Sequence, residues 1–289
     1  MKTFTYQIFA SVAETGSFKK TAQALNITPS AVSHALANME RELGITLLIR
    51  NRSEMTLSQS GKELLPMVER LLNEDRQIHT RAAKISGLAG GTIRIGAISS
   101  VCIAWLPTII HRFKEKHPEV AITIFQGSFK EIEQGVNLGR IDIGFSAYPV
   151  DERLDSCPLI DDEIKCITEN DFIPKNGQSI SKDDLQNQHF ILQRADYDSD
   201  TKVALDELDV KPQAINYSID DQSILAMVEA GLGWGILPDL ALTRLSGAVQ
   251  SFPFETPYFR HLELITNHSA SEDPLVQGMK KEILSYIQA

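Results

Sequence analysis

Cysteine is scarce in this chain. There are three, Cys102, Cys157 and Cys166, an odd and small number that builds no disulfide framework and fits a reducing compartment. Long apolar runs are missing as well. No stretch reaches the roughly 18 uninterrupted apolar residues of a membrane span, and the most apolar segment, 224–242, is broken by Glu229, three glycines, Pro238 and Asp239. Behind Lys2, the residues Gln7, Ser11 and Glu14 interrupt any apolar signal core, so no secretory signal and no membrane partner are expected, and the expected location is the cytoplasm. Catalytic signatures are also lacking: there is no Gly-x-Ser-x-Gly elbow, no Walker-type phosphate loop and no His-Glu-x-x-His. His111 and His117 flank a helix without a matching ligand pair. Asp196, Asp198 and Asp200 alternate as in a calcium loop but lack its glycine and distal Glu, and Asp161-Asp162-Glu163 reads as a solvated loop. An enzyme, a metal and a bound cofactor are therefore not expected. Short-period repeats and low-complexity tracts are absent too.

The 289 residues suit about two domains. Hydrophobic residues at 43% and charged residues at 23% are globular proportions that exclude wholesale disorder. A net charge of −10 argues against a small, uniformly basic nucleic-acid binder. The charge is unevenly spread, however. Residues 1–86 hold eleven basic against eight acidic side chains, and the remainder hold seventeen against thirty. Such asymmetry points to a nucleic-acid-facing piece joined to something else.

Residues 3–44 read as three short helices. Thr3 can cap the first, with Phe4, Ile8 and Val12 on one stripe, and Gly16 ends it. Ser17 caps the second and Asn26 closes it. Thr28-Pro29 supplies a cap and a first-turn proline for the third, whose Val32, Leu36, Met39 and Leu43 form the buried face. The tight 26–28 connection makes a helix-turn-helix. The opposite face of the third helix presents Ser30, Ser33, His34, Ala37 and Arg41, small and polar groups that let a helix sit deep in the major groove of double-stranded DNA. Lys19, Lys20, Arg50, Arg52 and Lys62 surround it as phosphate grips. A small helical interaction module is the alternative that the pattern leaves open.

Residues 46–57 resemble a two-stranded ribbon. From Gly61 a long helix begins, with Leu64, Val68, Leu71, Asp75, Ile78, Ala82 and Ile85 on a heptad seam. A seam of that length calls for a partner helix, most simply a second copy of the chain. Gly87, Gly90 and Gly91 form a hinge. Beyond it strands and helices alternate, with strands near 92–98, 120–126, 141–145, 163–168, 189–193, 214–218, 235–237 and 261–266, and a closing helix at 274–288. This alternation predicts two α/β subdomains with mostly parallel sheets.

The run Phe18-Lys19-Lys20-Thr21-Ala22-Gln23-Ala24-Leu25, then Thr28-Pro29-Ser30-Ala31-Val32-Ser33-His34, resembles the winged helix-turn-helix of LysR-type transcriptional regulators. The resemblance continues through Met39-Glu40, Leu43-Gly44, Leu47-Leu48-Ile49-Arg50 and Leu57-Ser58-Gln59-Ser60-Gly61, and onward through 92–96, 139–144 and 228–238. Ile49, Ser58 and His34 stand where the family more often has Phe, Thr, and Arg or Gln. The resemblance implies an α/β multidomain protein: a winged helix-turn-helix at 1–60, a linker helix and hinge at 61–89, and at 90–289 a periplasmic-binding-protein-like effector domain of two α/β subdomains. It implies that Thr28, Pro29, Ser30, Ser33 and His34 face bases and that Arg50 and Arg52 hold a wing to the DNA backbone. It also implies a dimer through the linker helix, a tetramer by family habit, a small-molecule effector, and RNA polymerase as a further partner.

Ligands of open α/β sheets bind beyond the carboxyl ends of strands. Those ends name Ser99-Ser100, Gly127-Ser128-Phe129, Ser146-Ala147 and Gln193-Arg194 as effector-binding candidates, with Cys102 one turn from Ser99. Ser99 and Ser128 as plain helix caps is the alternative. Because some family members sense peroxide through a cysteine pair, Cys157 with Cys166 is a minor redox expectation.

Overall fold

The computed structural model describes residues 2–50, 55–85, 91–186, 188–193, 207, 213–218, 221–243 and 249–288. The chain divides into two compact units, Met1–Ala89 with Leu138–Arg140, and Gly90–Asn137 with Ile141–Ala289.

In the first unit, α1 (Thr3–Thr15) ends on Gly16 at φ 61°. Lys2, not Thr3, occupies its N-cap position and makes no side-chain cap bond, because Thr3 is already helical. Ser17 accepts from the Lys20 amide and opens α2 (Phe18–Ala24). Asn26 turns the chain at φ 53°, a left-handed conformation that Asn tolerates better than most residues. Thr28 then accepts from the Ala31 amide at 3.1 Å, Pro29 sits at the first position, and α3 runs Pro29–Leu43 to a left-handed Gly44. Val32, Leu36 and Met39 are buried against Ile8, Phe9, Val12 and Ala22. Leu43 and Phe4, expected on buried stripes, are instead 38% and 45% exposed. Each lies at the outer end of its helix, where spacing continues but no neighbour covers it.

The wing is an antiparallel pair, β1 (Leu48–Arg50) and β2 (Met55–Leu57), with Leu48 opposite Leu57. The long helix α4 (Gln59–Ile85) begins two residues before Gly61 and carries Pro66 inside it. The expected seam is split. Leu64 and Val68 join the core of this unit, while Leu71 and Ile78 remain exposed. Periodicity identified the apolar face but not what covers each turn of it.

Leu47, fully buried, is the junction of this unit. Its N–H donates to Glu40 Oε1 of α3 at 2.7 Å. Its carbonyl accepts from the Ser58 amide at 2.9 Å. Ser58 Oγ donates to the Thr46 carbonyl at 2.6 Å and accepts from the Gly61 amide at 2.9 Å, which caps α4 while holding it to the strand before the wing. The approach is so close that a Cβ on Gly61 would lie 2.1 Å from the Leu47 carbonyl oxygen.

In the second unit the elements are β3 (Thr92–Ala97), α5 (Ser99–Ala104), α6 (Leu106–Lys116), β4 (Ala121–Gln126), α7 (Phe129–Asn137), β5 (Ile143–Ala147) and β6 (Asp155–Glu169). There follow α8 (Lys182–Leu185), β7 (His189–Gln193), β8 (Gln213–Ser218), α9 (Asp221–Glu229), β9 (Trp234–Pro238), a 3-10 turn (Asp239–Leu242), β10 (Val249–Thr266), α10 (His268–Ser271) and α11 (Pro274–Ile287). The described strands form one sheet in the order β4-β3-β5-β10-β6-β9-β7-β8. The flanks are parallel: β3 pairs with β4 and β5, and β7 with β8 and β9. The centre is not, for β10 runs antiparallel to β5 and β6, and β6 to β9. The expectation of mostly parallel sheets fails at these two long strands, which cross from one subdomain core to the other. Each looked like a single short strand in sequence because Pro158 and the Asp161-Asp162-Glu163 run interrupt β6, and Pro253 and Pro257 interrupt β10. Proline is tolerated at irregular positions of a sheet, and β10 shifts register between Pro253 and Tyr258. Arg94 fastens β3 to β5 by a bidentate pair with Asp142, reinforced by the Arg94 amide to Asp142 Oδ2 at 2.8 Å.

A Gly→Ala change inside a helix ordinarily stabilises by about 1 kcal/mol. At Gly61 the new methyl meets backbone that cannot rotate away, and overpacking of this kind costs about 1–3 kcal/mol. Thermal unfolding of Gly61→Ala is therefore expected to begin at lower temperature than the parent chain; an unchanged or higher midpoint would contradict the tight junction.

Candidate nucleic-acid interface and effector site

Amphipathic spacing turns one side of α3 inward, so the other side is free. Ser30, Ser33, His34, Ala37 and Arg41 are all at the surface of that helix, as are Thr28 and Pro29 at its start. The Thr28 hydroxyl oxygen accepts the Ala31 amide and so fixes the helix start. Lys19 and Lys20 are exposed in the first turn of α2, and Lys62 in that of α4. Arg50 closes β1 opposite Met55. Arg52 lies outside the described residues. The surface is thus a small, polar helix face with basic side chains on the flanking elements, suited to a duplex groove and its phosphates.

The effector candidates separate. Ser99 and Ser100 are buried at the start of α5, with Ile98 rather than Ser99 in the cap position. Ser100 Oγ accepts from Arg260 Nη2 at 3.2 Å. The same nitrogen donates to Asp162 Oδ2 at 2.6 Å, and the guanidinium lies 5.8 Å from the centre of the Phe129 ring. Ser100 and Phe129 therefore converge on Arg260. Asp162 is completed by the Leu240 amide, donating to Oδ1 at 2.9 Å. Ser128 does not join them. Its hydroxyl and amide both donate to Glu131 Oε2 at 2.8 Å and its oxygen accepts from the Glu131 amide, which is a capping box. Ser146 donates to Glu133 Oε1 at 2.5 Å. Cys102 turns its thiol toward the Ala97 carbonyl at 3.8 Å. Gln193 ends β7 opposite Ser218, and Arg194 lies outside the described residues.

The buried pair was missed in the sequence. Asp161-Asp162-Glu163 is no solvated loop: it is strand, and Arg260 and Asp162, directly opposite each other in β10 and β6, have side chains only 3% and 2% exposed. Burial pushes the Asp162 carboxyl above the usual carboxylate range, while Arg260 and the Leu240 amide pull it back. The signal that could have found Arg260 is period-two alternation, since it shares an inward face with Leu262 once the strand is extended past His261. The outward pair is His261 Nδ1 with Asp161 Oδ1, 2.7 Å apart and exposed.

The redox expectation fails. Cys157 and Cys166 lie on one continuous strand, β6, nine positions and roughly 30 Å apart at about 3.3 Å per residue. A disulfide needs Cα atoms within about 7 Å. Among the described residues no group of three or more His, Cys, Asp or Glu could hold a metal; Asp196, Asp198 and Asp200 lie outside them. No helix among them is long and apolar enough to cross a membrane.

Two family models match the chain. Residues 5–62 match the bacterial regulatory helix-turn-helix protein, lysR family, and residues 86–287 match the LysR substrate binding domain. The uncharacterized HTH-type transcriptional regulator YvbU of Bacillus subtilis (strain 168) is 30% identical over 240 residues, covering 82% of this chain and 81% of that protein. The probable HTH-type transcriptional regulator LrrA of Synechococcus elongatus is 31% identical over 273 residues, covering 93% and 92%. A full-length OxyR variant from Pseudomonas aeruginosa superposes with a TM-score of 0.76 at 19% identity, covering 98% of this chain and 94% of that one, a likeness of fold alone.

Burial pushes the Cys102 thiol up to about 11, leaving on the order of one thiolate in a thousand at pH 8. Cys166 is fully buried and pushed higher still, whereas Cys157 is partly exposed. Iodoacetamide at pH 8 is expected to label Cys157 first, Cys102 far more slowly and at a rate that rises with pH, and Cys166 only on unfolding. Rapid labelling of Cys166 in the folded chain would contradict the burial described.

Proposed function

The chain belongs to the LysR family of DNA-binding transcriptional regulators, and from that premise we propose how its residues read DNA and respond to a small molecule. It is a regulator with an effector-binding domain, and proteins of this kind are not enzymes. The assignment of parts is a DNA-binding domain at 1–60, a linker helix and hinge at 61–89, and an effector domain at 90–289. The observation that carries the reading is the face of α3, where Ser30, Ser33 and His34 stand exposed on a helix whose other side is locked in the core. Ser33 and His34 address base edges in the major groove. Lys19, Lys20, Arg50 and Arg52 take phosphates and set register without reading sequence.

The exposed stripe of α4, with Met67, Leu71 and Ile78, supports pairing of two chains, so that two α3 helices reach half-sites about one helical turn apart. Two such dimers form a tetramer that bends the DNA between its sites, acting in the cytoplasm, with RNA polymerase as a further partner. The effector binds near Ser100, Phe129 and Arg260, where α5, α7 and the crossing strand β10 meet. It alters the relation between the subdomains, and with it the bend, which costs on the order of 1–6 kcal/mol over 20–30 base pairs. It does so only by its differential affinity for the two states.

Gel-shift titrations on a selected operator test the division of labour. Arg50→Ala is expected to weaken binding to every sequence alike and to lower the salt slope by about one. His34→Ala is expected to lose about 1–3 kcal/mol at particular base pairs and little elsewhere. A uniform loss from both would overturn the assignment.

A further inference from the structure

Glu40 takes part in more backbone contacts than its place near the end of α3 requires. Its main-chain oxygen accepts from the Gly44 amide at 2.8 Å and from the Ile45 amide at 3.2 Å, which finishes the helix. Its carboxylate does something else. Oε1 accepts from the Leu47 amide at 2.7 Å and from the Leu48 amide at 3.2 Å. Leu48 is the first residue of β1, so the wing strand hangs from the recognition helix by two hydrogen bonds to one oxygen atom. The far side of the same segment is held by α4, through the Ser58 amide on the Leu47 carbonyl and Ser58 Oγ on the Thr46 carbonyl. The segment 46–48 is thus gripped from both sides, by a side chain of α3 and by the capped start of α4.

We propose that Glu40 is a positioning residue for DNA binding: its carboxylate sets the place of the wing relative to α3, so that base contacts and phosphate contacts are made together. The inference rests on the reading of Arg50 as a phosphate contact. It goes against simple electrostatics. Removing an acidic side chain from a DNA-binding surface raises affinity if charge alone counts, because the duplex is a polyanion. Removing this one lowers affinity, because the wing loses its anchor.

The test is a double-mutant cycle on the full chain with its operator, measured across a salt series. Glu40→Ala is expected to bind about tenfold more weakly with a salt slope lower by about one, and with the ranking of operator base substitutions unchanged. Glu40→Gln keeps an acceptor oxygen at the same reach and is expected to bind like the parent. In an Arg50→Ala background, Glu40→Ala is expected to cost only about threefold further, since one of the two wing contacts it positions, those of Arg50 and Arg52, is already gone. Glu40→Asp, too short to reach both amides, repeats the test if the alanine variant does not fold. Tighter binding by Glu40→Ala, losses that multiply independently with Arg50→Ala, or failure of Gln to restore binding would each overturn the role of Glu40. If Arg50→Ala alone leaves the salt slope unchanged, the phosphate reading of Arg50 fails first and this inference falls with it.

Discussion

The structure of the DNA-binding unit depends on the backbone of one buried residue, Leu47. Its N–H is held by the recognition helix through Glu40 and its C=O by the amide of Ser58 at the start of the linker helix. Buried backbone groups must be paired or bear the full cost of desolvation. Here that requirement is met by two different helices at once. The consequence is mechanical as well as energetic. Three parts with separate functions, the reading helix, the wing and the linker helix, meet at a point with no room for an extra methyl group. The junction therefore fixes the start of the linker helix relative to the reading helix and the first strand of the wing.

The second unit has its own constraint. Its two long strands cross between subdomain cores, and at the crossing an arginine and an aspartate face each other out of contact with water. A buried ion pair is weak evidence of stability, since desolvation offsets much of its attraction. Its value here is in connection. Arg260 touches Ser100 and lies near Phe129, both beside the first subdomain core, and Asp162 holds the turn after β9 through Leu240. A ligand that changed any of these contacts would act on both subdomains together. Interfaces of this kind switch between arrangements more readily than they deform.

Much of this was legible in the sequence, and the reasons for success and failure are physical. The helix-turn-helix is short-range: caps at Ser17 and Thr28, a left-handed Asn26 and Gly44, and four-three spacing are all local rules. The exposed face of α3 followed from its buried one. Of the candidate effector residues, only some are brought together by the fold. Strand ends named Ser100 and Phe129, which gather at Arg260, but Ser128 satisfies its own helix and Ser146 a neighbouring glutamate. Serine caps and serine ligands share one sequence signature. Asp162 and Arg260 were hidden because acidic runs ordinarily signal solvent, and only pairing across 98 residues makes burial tolerable. The linker seam was correct as a face and wrong as a uniform zipper, because Leu64 and Val68 are used by the unit's own core.

The central claim is that a rigid helix face, presented twice, selects particular DNA. The most direct measurement is an unbiased selection of genomic fragments by the purified full-length chain in the presence of excess competitor DNA. The account predicts enrichment of a few discrete fragments that share an inverted repeat with half-sites about one helical turn apart. Recovery of fragments in proportion to their input, with no shared sequence, would contradict it.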